Sequence, residues 1–145
     1  MLITYFLFMN ACSDIKTQEL PYPSDASNLI LILHGSGDSA NDWPLEMQTS
    51  ILHSFPNMEG WDIWTYDWDE YSSSKLSASK SGYELGSLIA QNLLEPPYSY
   101  EHIHLIGHSV GCFVIYGIAE NISEKNNSIT IHSTFLDPFT GKGLI

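Results

Sequence analysis

Short apolar runs alternate along the chain with longer segments in which apolar residues recur every three or four positions. Residues 29–33 are continuously apolar, which is typical of a central strand covered on both faces of a parallel sheet. Segments 62–66, 102–106 and 128–136 also predict strands, because β-branched and aromatic residues are frequent in them. With helical segments between them, these strands predict an α/β fold with a mostly parallel central sheet flanked by helices.

The first helix is predicted to follow the segment 29–33. Asn41 or Asp42 can cap it, and Pro44 falls in its first turn, where proline is tolerated. Several apolar residues share one face of this helix at helical spacing. They are Leu45, Ile51, Leu52 and Phe55.

Two more helices are predicted further along the chain. One begins at Gly82 and ends before Pro96, because proline breaks a helix. The other covers residues 110–122, and its apolar spacing indicates a buried helix. The serine-rich residues 71–81 predict a surface loop.

The N-terminal segment has two competing interpretations. Residues 1–12 resemble a signal peptide or a lipoprotein leader, in which an apolar stretch precedes Cys12 and lipidation of Cys12 anchors the protein to a membrane. The alternative is a buried first strand over residues 2–8. Export makes the protein secreted or lipid-anchored, whereas a first strand is compatible with the cytoplasm. Residues 13–28 then lead into a single domain over residues 29–145.

Composition narrows the classes of function. Hydrophobic residues make up 43% of the 145 residues and charged residues only 15%, so the chain has enough apolar content to fold. The formal net charge of −12 would repel nucleic-acid backbones, and we therefore expect no nucleic-acid partner. The two cysteines, Cys12 and Cys112, lie far apart and predict neither a disulfide framework nor a metal site.

The segment Gly107-His108-Ser109-Val110-Gly111 follows a predicted strand and begins a predicted helix. This is the context in which Gly-x-Ser-x-Gly forms a nucleophile elbow. The turn would lift Ser109 above the sheet, because Gly107 and Gly111 lack the side chains that would collide in so tight a bend. The His108 ring would point away from the position from which the serine attacks. The helix dipole and the Val110 N–H would then face a developing oxyanion. An ordinary strand-to-helix turn is the alternative.

A glycine-rich bend, His34-Gly35-Ser36-Gly37, ends the earlier apolar strand. Because the carboxyl ends of parallel strands share one edge of the sheet, the Ser36 N–H can reach the same oxyanion, with His34 and Gly35 supporting it. A phosphate-binding loop is the alternative. However, the Lys-Ser/Thr ending is absent and Gly-x-Gly-x-x-Gly is incomplete.

Asp137 directly follows the last predicted strand, on the same edge of the sheet as Ser109. A carboxylate there can orient a histidine from the side opposite the nucleophile. The alternative is an Asp-Pro turn that only ends the strand. Asp67 is a rival acid, because it also lies at a strand end.

These motifs resemble the α/β-hydrolase superfamily, and within it the lipases related to pancreatic lipase. The resemblance extends over most of the chain, from Leu29 to Phe139, and its elements occur in the same order. They are Leu33-His34-Gly35, Trp43, Tyr66-Asp67-Trp68, Gly82-Tyr83-Glu84-Leu85-Gly86, the elbow with its strand, and Leu136-Asp137-Pro138. The resemblance implies a partial α/β-hydrolase fold and the hydrolysis of carboxylic esters, chiefly of lipids, without a redox cofactor.

The resemblance also implies roles for individual residues. Ser109 is the nucleophile, and Ser36 and Val110 supply the oxyanion hole through their N–H groups. Asp137 is the acid in preference to Asp67, because in this superfamily the acid follows the serine in the chain. Thioester or amide hydrolysis and acyl transfer to an alcohol are open to the same residues.

One feature departs from the family pattern. The order Ser, Asp, His requires a histidine after the acid, yet all six histidines precede Asp137. We therefore expect the domain to be incomplete at its C-terminal end and the chain to be inactive alone. A non-catalytic remnant is the alternative from a different class of function.

Overall fold

The computed structural model describes residues 15–140, apart from the side chains at positions 75 and 76. The predicted leader or first strand within residues 1–12 therefore lies outside the described residues. Residues 141–145 lie outside them as well. The described part begins with an irregular segment that precedes the strand at Asn28.

The core of the fold is a four-stranded sheet in the order β2-β1-β3-β4, with every neighbouring pair parallel. The strands are β1 (Asn28–Leu33), β2 (Trp61–Tyr66), β3 (His102–His108) and β4 (Thr130–Leu136). The continuous apolar run forms β1, which is almost fully buried between β2 and β3. The prediction of an α/β fold with a parallel sheet is confirmed.

Four helices occur between the strands of the described residues. They are α1 (Trp43–Ser54), α2 (Asp69–Ser72), α3 (Lys75–Leu93) and α4 (Gly111–Lys125). Helix α3 stops before Pro96-Pro97, and α4 buries its apolar side fully, as the sequence predicts. Within residues 15–140, no helix has both the length and the apolar content needed to cross a bilayer.

The sheet separates two apolar layers of unequal size. The larger layer lies under α3 and α4 and includes Leu31, Leu105 and Ile118, which are all fully buried. The smaller layer lies on the other face, where Ile32 and Ile106 pack beneath α1. Alternate residues of β1 therefore serve both layers, which explains why the strand is continuously apolar.

Helices α3 and α4 touch through glycines. A Cβ on Gly86 would lie 2.3 Å from the Val114 carbonyl oxygen, and a Cβ on Gly117 would lie 2.5 Å from the Tyr83 carbonyl oxygen. Neither backbone oxygen can move far without breaking its helix. The two helices therefore approach each other at a distance that no other residue allows.

The prediction of a surface loop over residues 71–81 is wrong. The segment contains the end of α2 and the first turns of α3. Ala78 is fully buried and Ser72 is almost fully buried, so packing against the larger apolar layer stabilises helices that the serine content disfavours. The helix predicted to begin at Gly82 accordingly begins at Lys75.

Helix α1 turns a different face to the sheet from the one predicted. Its packed residues are Trp43, Met47 and Ile51, whereas three of the four residues in the predicted stripe are exposed. The exposed residues are Leu45, Leu52 and Phe55. Asp42 occupies the predicted cap position, but its carboxylate accepts hydrogen bonds from Ser39 and none from the helix.

Replacing Gly86 with alanine should destabilise the fold. Alanine favours a helix over glycine by up to about 1 kcal/mol, but the new Cβ would collide with the Val114 carbonyl oxygen. Overpacking of this kind costs about 1–3 kcal/mol, so we expect a lower free energy of unfolding in urea. Gln91→Ala, at an exposed position of the same helix, is the control. Equal urea midpoints for Gly86→Ala and the unmodified protein would contradict the close contact.

Candidate active site

The turn between β3 and α4 places Ser109 at the carboxyl edge of the sheet. Ser109 has a φ of 51°, a left-handed conformation that is strained for a residue with a side chain. Its N–H donates to the Leu136 carbonyl (3.0 Å), and its carbonyl accepts from the Phe139 N–H (3.3 Å) and the Cys112 N–H (3.2 Å). These hydrogen bonds hold the strained residue in place.

The elbow backbone packs directly on the end of β1. A Cβ on Gly111 would lie 2.4 Å from the His34 carbonyl oxygen, and a Cβ on Gly107 would lie 2.8 Å from the Gly111 carbonyl oxygen. Both distances are shorter than any normal contact of a Cβ with backbone. The two glycines of the motif therefore let the chain turn and let the turn approach β1.

The glycine-rich bend after β1 forms the second wall of the site. A Cβ on Gly35 would lie 2.9 Å from His108 Nδ1 and 3.1 Å from Ser109 Cβ, so the bend rests on the elbow. Within residues 15–140, neither the Ser36 N–H nor the Val110 N–H donates a hydrogen bond. Both donors are therefore available to an oxygen atom that develops negative charge.

His34 is fully buried and ties the bend to the end of β2. Its Nδ1 lies 2.8 Å from the Gly35 carbonyl oxygen, which can only accept, so Nδ1 carries a proton. Its Nε2 lies 3.0 Å from Asp67 Oδ1 and 3.1 Å from the Trp68 backbone nitrogen. The Trp68 indole N–H donates to the His34 carbonyl (2.9 Å). This network occupies the His34 ring and fixes the first half of the bend.

Asp67 therefore has a structural partner that the sequence did not indicate. Its side chain is 27% exposed and contacts His34, and it also accepts from the Asp69 N–H (3.3 Å). This rival to Asp137 for the role of the acid therefore contacts the His34 ring, which supports the bend. Within the part of the chain that the structure describes, none of its contacts links it to Ser109.

Asp137 lies at the end of β4 in a second left-handed turn, with a φ of 42°. Its turn is bound to Ser109, because the Leu136 carbonyl accepts from the Ser109 N–H and the Phe139 N–H, two residues after Asp137, donates to the Ser109 carbonyl. Within residues 15–140, the Asp137 carboxylate has no hydrogen-bond or ion-pair partner. A side chain at this position is therefore available to orient another group beside the elbow.

Cys112 is the other residue of nucleophilic type near the elbow, and it is a poor nucleophile. Burial raises the pKa of its thiol to about 11, and the negative charge of Asp137 adds to the rise. The Sγ atom faces the Gly107 carbonyl at 3.1 Å. The thiol stays protonated at neutral pH, so it serves as a packed side chain.

The histidines of the sheet face lie away from the elbow. The rings of His104 and His132 stack in parallel on neighbouring strands with centroids 4.4 Å apart, and His104 Nε2 lies 2.9 Å from Thr134 Oγ1. His132 lies four residues before Leu136, about 13 Å along an extended strand from the elbow contact. These positions indicate a structural role for both rings.

The structure thus brings together the two glycine-rich turns and the Asp137 turn at one edge of the sheet. Sequence reasoning missed Asp38 and the packing role of Trp43, which both contact His108. No local pattern could have identified them, because each contact joins residues that are distant in the chain. The described residues contain no cluster of three or more metal-binding side chains.

A family model described as the alpha/beta hydrolase fold matches residues 28–142. The chain belongs to the α/β-hydrolase fold family. The match covers every strand and helix of the described structure and supports a hydrolase of this superfamily. The comparison with curated proteins finds no match.

The stacked histidine pair should make stability depend on pH. Burial, and then the neighbouring His132, lower the pKa of His104 below its ordinary value of 6.5. Between these two pKa values the unfolded chain binds the proton more readily, so stability falls as the pH drops below about 6.5. Between pH 8 and pH 5, the free energy of unfolding in urea should fall less for His104→Gln than for the unmodified protein.

The control for this experiment is His53→Gln, which changes an exposed histidine in the last turn of α1. We expect it to leave the pH dependence as it is in the unmodified protein. Identical pH profiles for His104→Gln and the unmodified protein would show that the stacked ring does not titrate differently on folding.

Proposed function

We propose that this α/β-hydrolase is a serine hydrolase that cleaves carboxylic esters through an acyl-enzyme on Ser109. The observation that carries the proposal is the strained Ser109 in an elbow that rests on the glycine-rich bend, where the N–H groups of Ser36 and Val110 are unpaired within residues 15–140. A strained serine beside such donors is the arrangement that acyl transfer requires. The availability of the Asp137 carboxylate beside the elbow adds support.

The proposed reaction has two steps. In the first, Ser109 Oγ attacks the ester carbonyl carbon while a base takes its proton, and the alcohol leaves with that proton. In the second, water attacks the acyl-enzyme, loses a proton to the same base and releases the carboxylic acid and Ser109. The Ser36 and Val110 N–H groups stabilise the oxyanion of both tetrahedral intermediates.

The base in this proposal is a histidine that Asp137 orients. None of the six histidines fits that role: His34 is enclosed by its own network, His108 faces Asp38, and His104 and His132 are stacked on each other on the sheet face. His53 lies on α1, and His102 begins β3 at the opposite edge from Ser109. The proposal therefore requires a histidine that none of these six supplies.

An apolar groove beside the elbow supports an apolar acyl group in the substrate. The groove has a volume of about 660 Å³ and begins at the first turn of α4 and the Asp137 turn. Its apolar lining includes Cys112, Phe113, Tyr116, Phe135, Pro138 and Phe139. An acyl chain seated there would leave the ester carbonyl near the elbow, which favours lipase-like or esterase-like substrates. Thioesters, amides and acyl transfer remain the second class of reaction for the same residues.

Ser109 should be the residue that a fluorophosphonate probe labels in the protein translated from its complete reading frame. The elbow exposes this serine beside two oxyanion donors, and a phosphonate places its oxygen where the oxyanion would lie. Ser109→Ala should abolish labelling, whereas Ser73→Ala, at an exposed position, should not. Labelling that survives Ser109→Ala would refute the assignment.

The absence of all labelling, together with a stop codon directly after residue 145, would identify the protein as a non-catalytic remnant. A continuation that contains a histidine, with Ser109 labelled, would support the enzyme. In the latter case residues 1–145 alone should hydrolyse activated esters only at the residual rate that an oxyanion hole and binding provide.

Asp137 should matter far more than Asp67 for ester hydrolysis. Loss of the orienting carboxylate costs about 10⁴-fold in turnover in the serine-protease triad, and we expect a loss of that order for Asp137→Asn. Asp67→Asn keeps the shape of the side chain beside His34 and removes its charge, so we expect a small loss of turnover with a lower unfolding midpoint. If Asp67→Asn silences hydrolysis of a p-nitrophenyl ester while Asp137→Asn does not, the acid is misassigned.

A further inference from the structure

His108, the second residue of the elbow motif, contacts the far end of the glycine-rich bend. Its Nδ1 lies 3.5 Å from Asp38 Oδ2, within ion-pair distance. A carboxylate oxygen can only accept, so the contact is attractive when Nδ1 carries a proton. Asp38 follows Gly37 directly, which places this contact two residues beyond the Ser36 N–H.

Asp38 is the counterpart that the His108 ring faces. Within residues 15–140, Nδ1 is buried and forms no hydrogen bond with any group. The Trp43 ring of α1 meets the imidazole edge to face with centroids 5.8 Å apart, and the Gly35 backbone lies against Nδ1, whereas the side chain as a whole is 36% exposed. A buried nitrogen without another partner depends on the nearby carboxylate for its electrostatic stabilisation.

The glycine-rich bend is otherwise held firmly only in its first half. The His34 network anchors its beginning, but the Ser36 hydroxyl makes only a long hydrogen bond of 3.5 Å to the Ser73 carbonyl. Gly37 has a φ of 85°, and a Cβ placed there would meet nothing within 4 Å. Ser39, directly after Asp38, donates its hydrogen bonds to Asp42.

We infer that His108 and Asp38 form a positioning pair, which closes the second half of the bend onto the elbow and so sets the distance from the Ser36 N–H to Ser109. Both side chains act through the backbone of the bend, so they are positioning residues and do not contact the reacting atoms. The catalytic consequence rests on the proposed function, whereas the positioning of the bend does not.

The rigidity of the bend is measured first, in an experiment that does not involve ester hydrolysis. Asp38→Asn removes the charge with little change of shape, and His108→Gln removes the imidazole. In each variant we expect the backbone ¹⁵N order parameters of Ser36 and Gly37 to fall from about 0.85, typical of rigid backbone, toward 0.6. The double variant should show no further fall, because either change already breaks the pair.

Two other variants serve as controls for that measurement. Asp25→Asn removes the same charge from an exposed position ahead of β1, so it should leave the bend rigid. Asp38→Glu keeps a carboxylate within reach of His108 and should restore the order that Asp38→Asn removes. Unchanged order parameters in Asp38→Asn, or an equal fall in Asp25→Asn, would overturn the inference. Should His108→Gln not fold, the comparison of Asp38→Asn with Asp38→Glu decides.

The catalytic consequence is measured on ester hydrolysis by the protein from its complete reading frame. Removing an oxyanion donor costs about 10²–10³-fold in kcat, and a donor that is only loosened should cost about tenfold. We expect Asp38→Asn to lower kcat by that amount with KM unchanged and Asp38→Glu to restore it. If Asp38 had a merely structural role, Asp38→Asn would lower the unfolding midpoint without lowering kcat at an unchanged KM.

The two proposals fail in different ways. If the unmodified protein shows no Ser109-dependent labelling or hydrolysis, the proposed function fails, and the order parameters still decide whether the pair positions the bend. If the unmodified protein is active and Asp38→Asn leaves both kcat and the order parameters unchanged, the positioning pair is refuted while the serine hydrolase stands.

Discussion

The close approach of the elbow backbone to the end of β1 is the contact on which the candidate site depends. A Cβ on Gly111 would lie 2.4 Å from the His34 carbonyl oxygen, so only glycine permits the first turn of α4 to reach β1. That approach brings Ser109 beside the bend that carries the Ser36 N–H. In the proposed oxyanion hole, the Ser36 and Val110 donors lie on different turns, and they can serve one oxygen atom only because these turns touch.

The parallel sheet makes this contact possible and adds a third turn to it. Strands β1, β3 and β4 run side by side in one direction, so the bend, the elbow and the Asp137 turn all lie at the same edge. Hydrogen bonds from Ser109 to the residues that flank Asp137 then join two of these turns. Strain at Ser109 and Asp137 is sustained because neighbouring backbone fixes both residues.

The two faces of the sheet are covered unequally, and the elements around the elbow reflect this. The face under α3 and α4 carries a large continuous layer, and the glycine contact between these helices draws them tightly together. On the other face, α1 leaves Leu52 and Phe55 exposed, and the His104 and His132 rings stack beside an apolar groove. The buried side of the elbow is therefore rigidly supported, whereas its other side depends on single contacts such as Trp43 with His108.

The sequence by itself determined the elements whose signal is local. The continuous apolar run indicated β1, and Gly-x-Ser-x-Gly between a strand and a helix indicated the elbow, because a tight turn restricts residue type at each of its positions. Tertiary structure alone decided the helical turns within residues 71–81, the buried face of α1 and the contact of His108 with Asp38. Each of these depends on packing or pairing between residues far apart in the chain, and the free energy of such contacts exceeds the weak local preferences that a sequence pattern records.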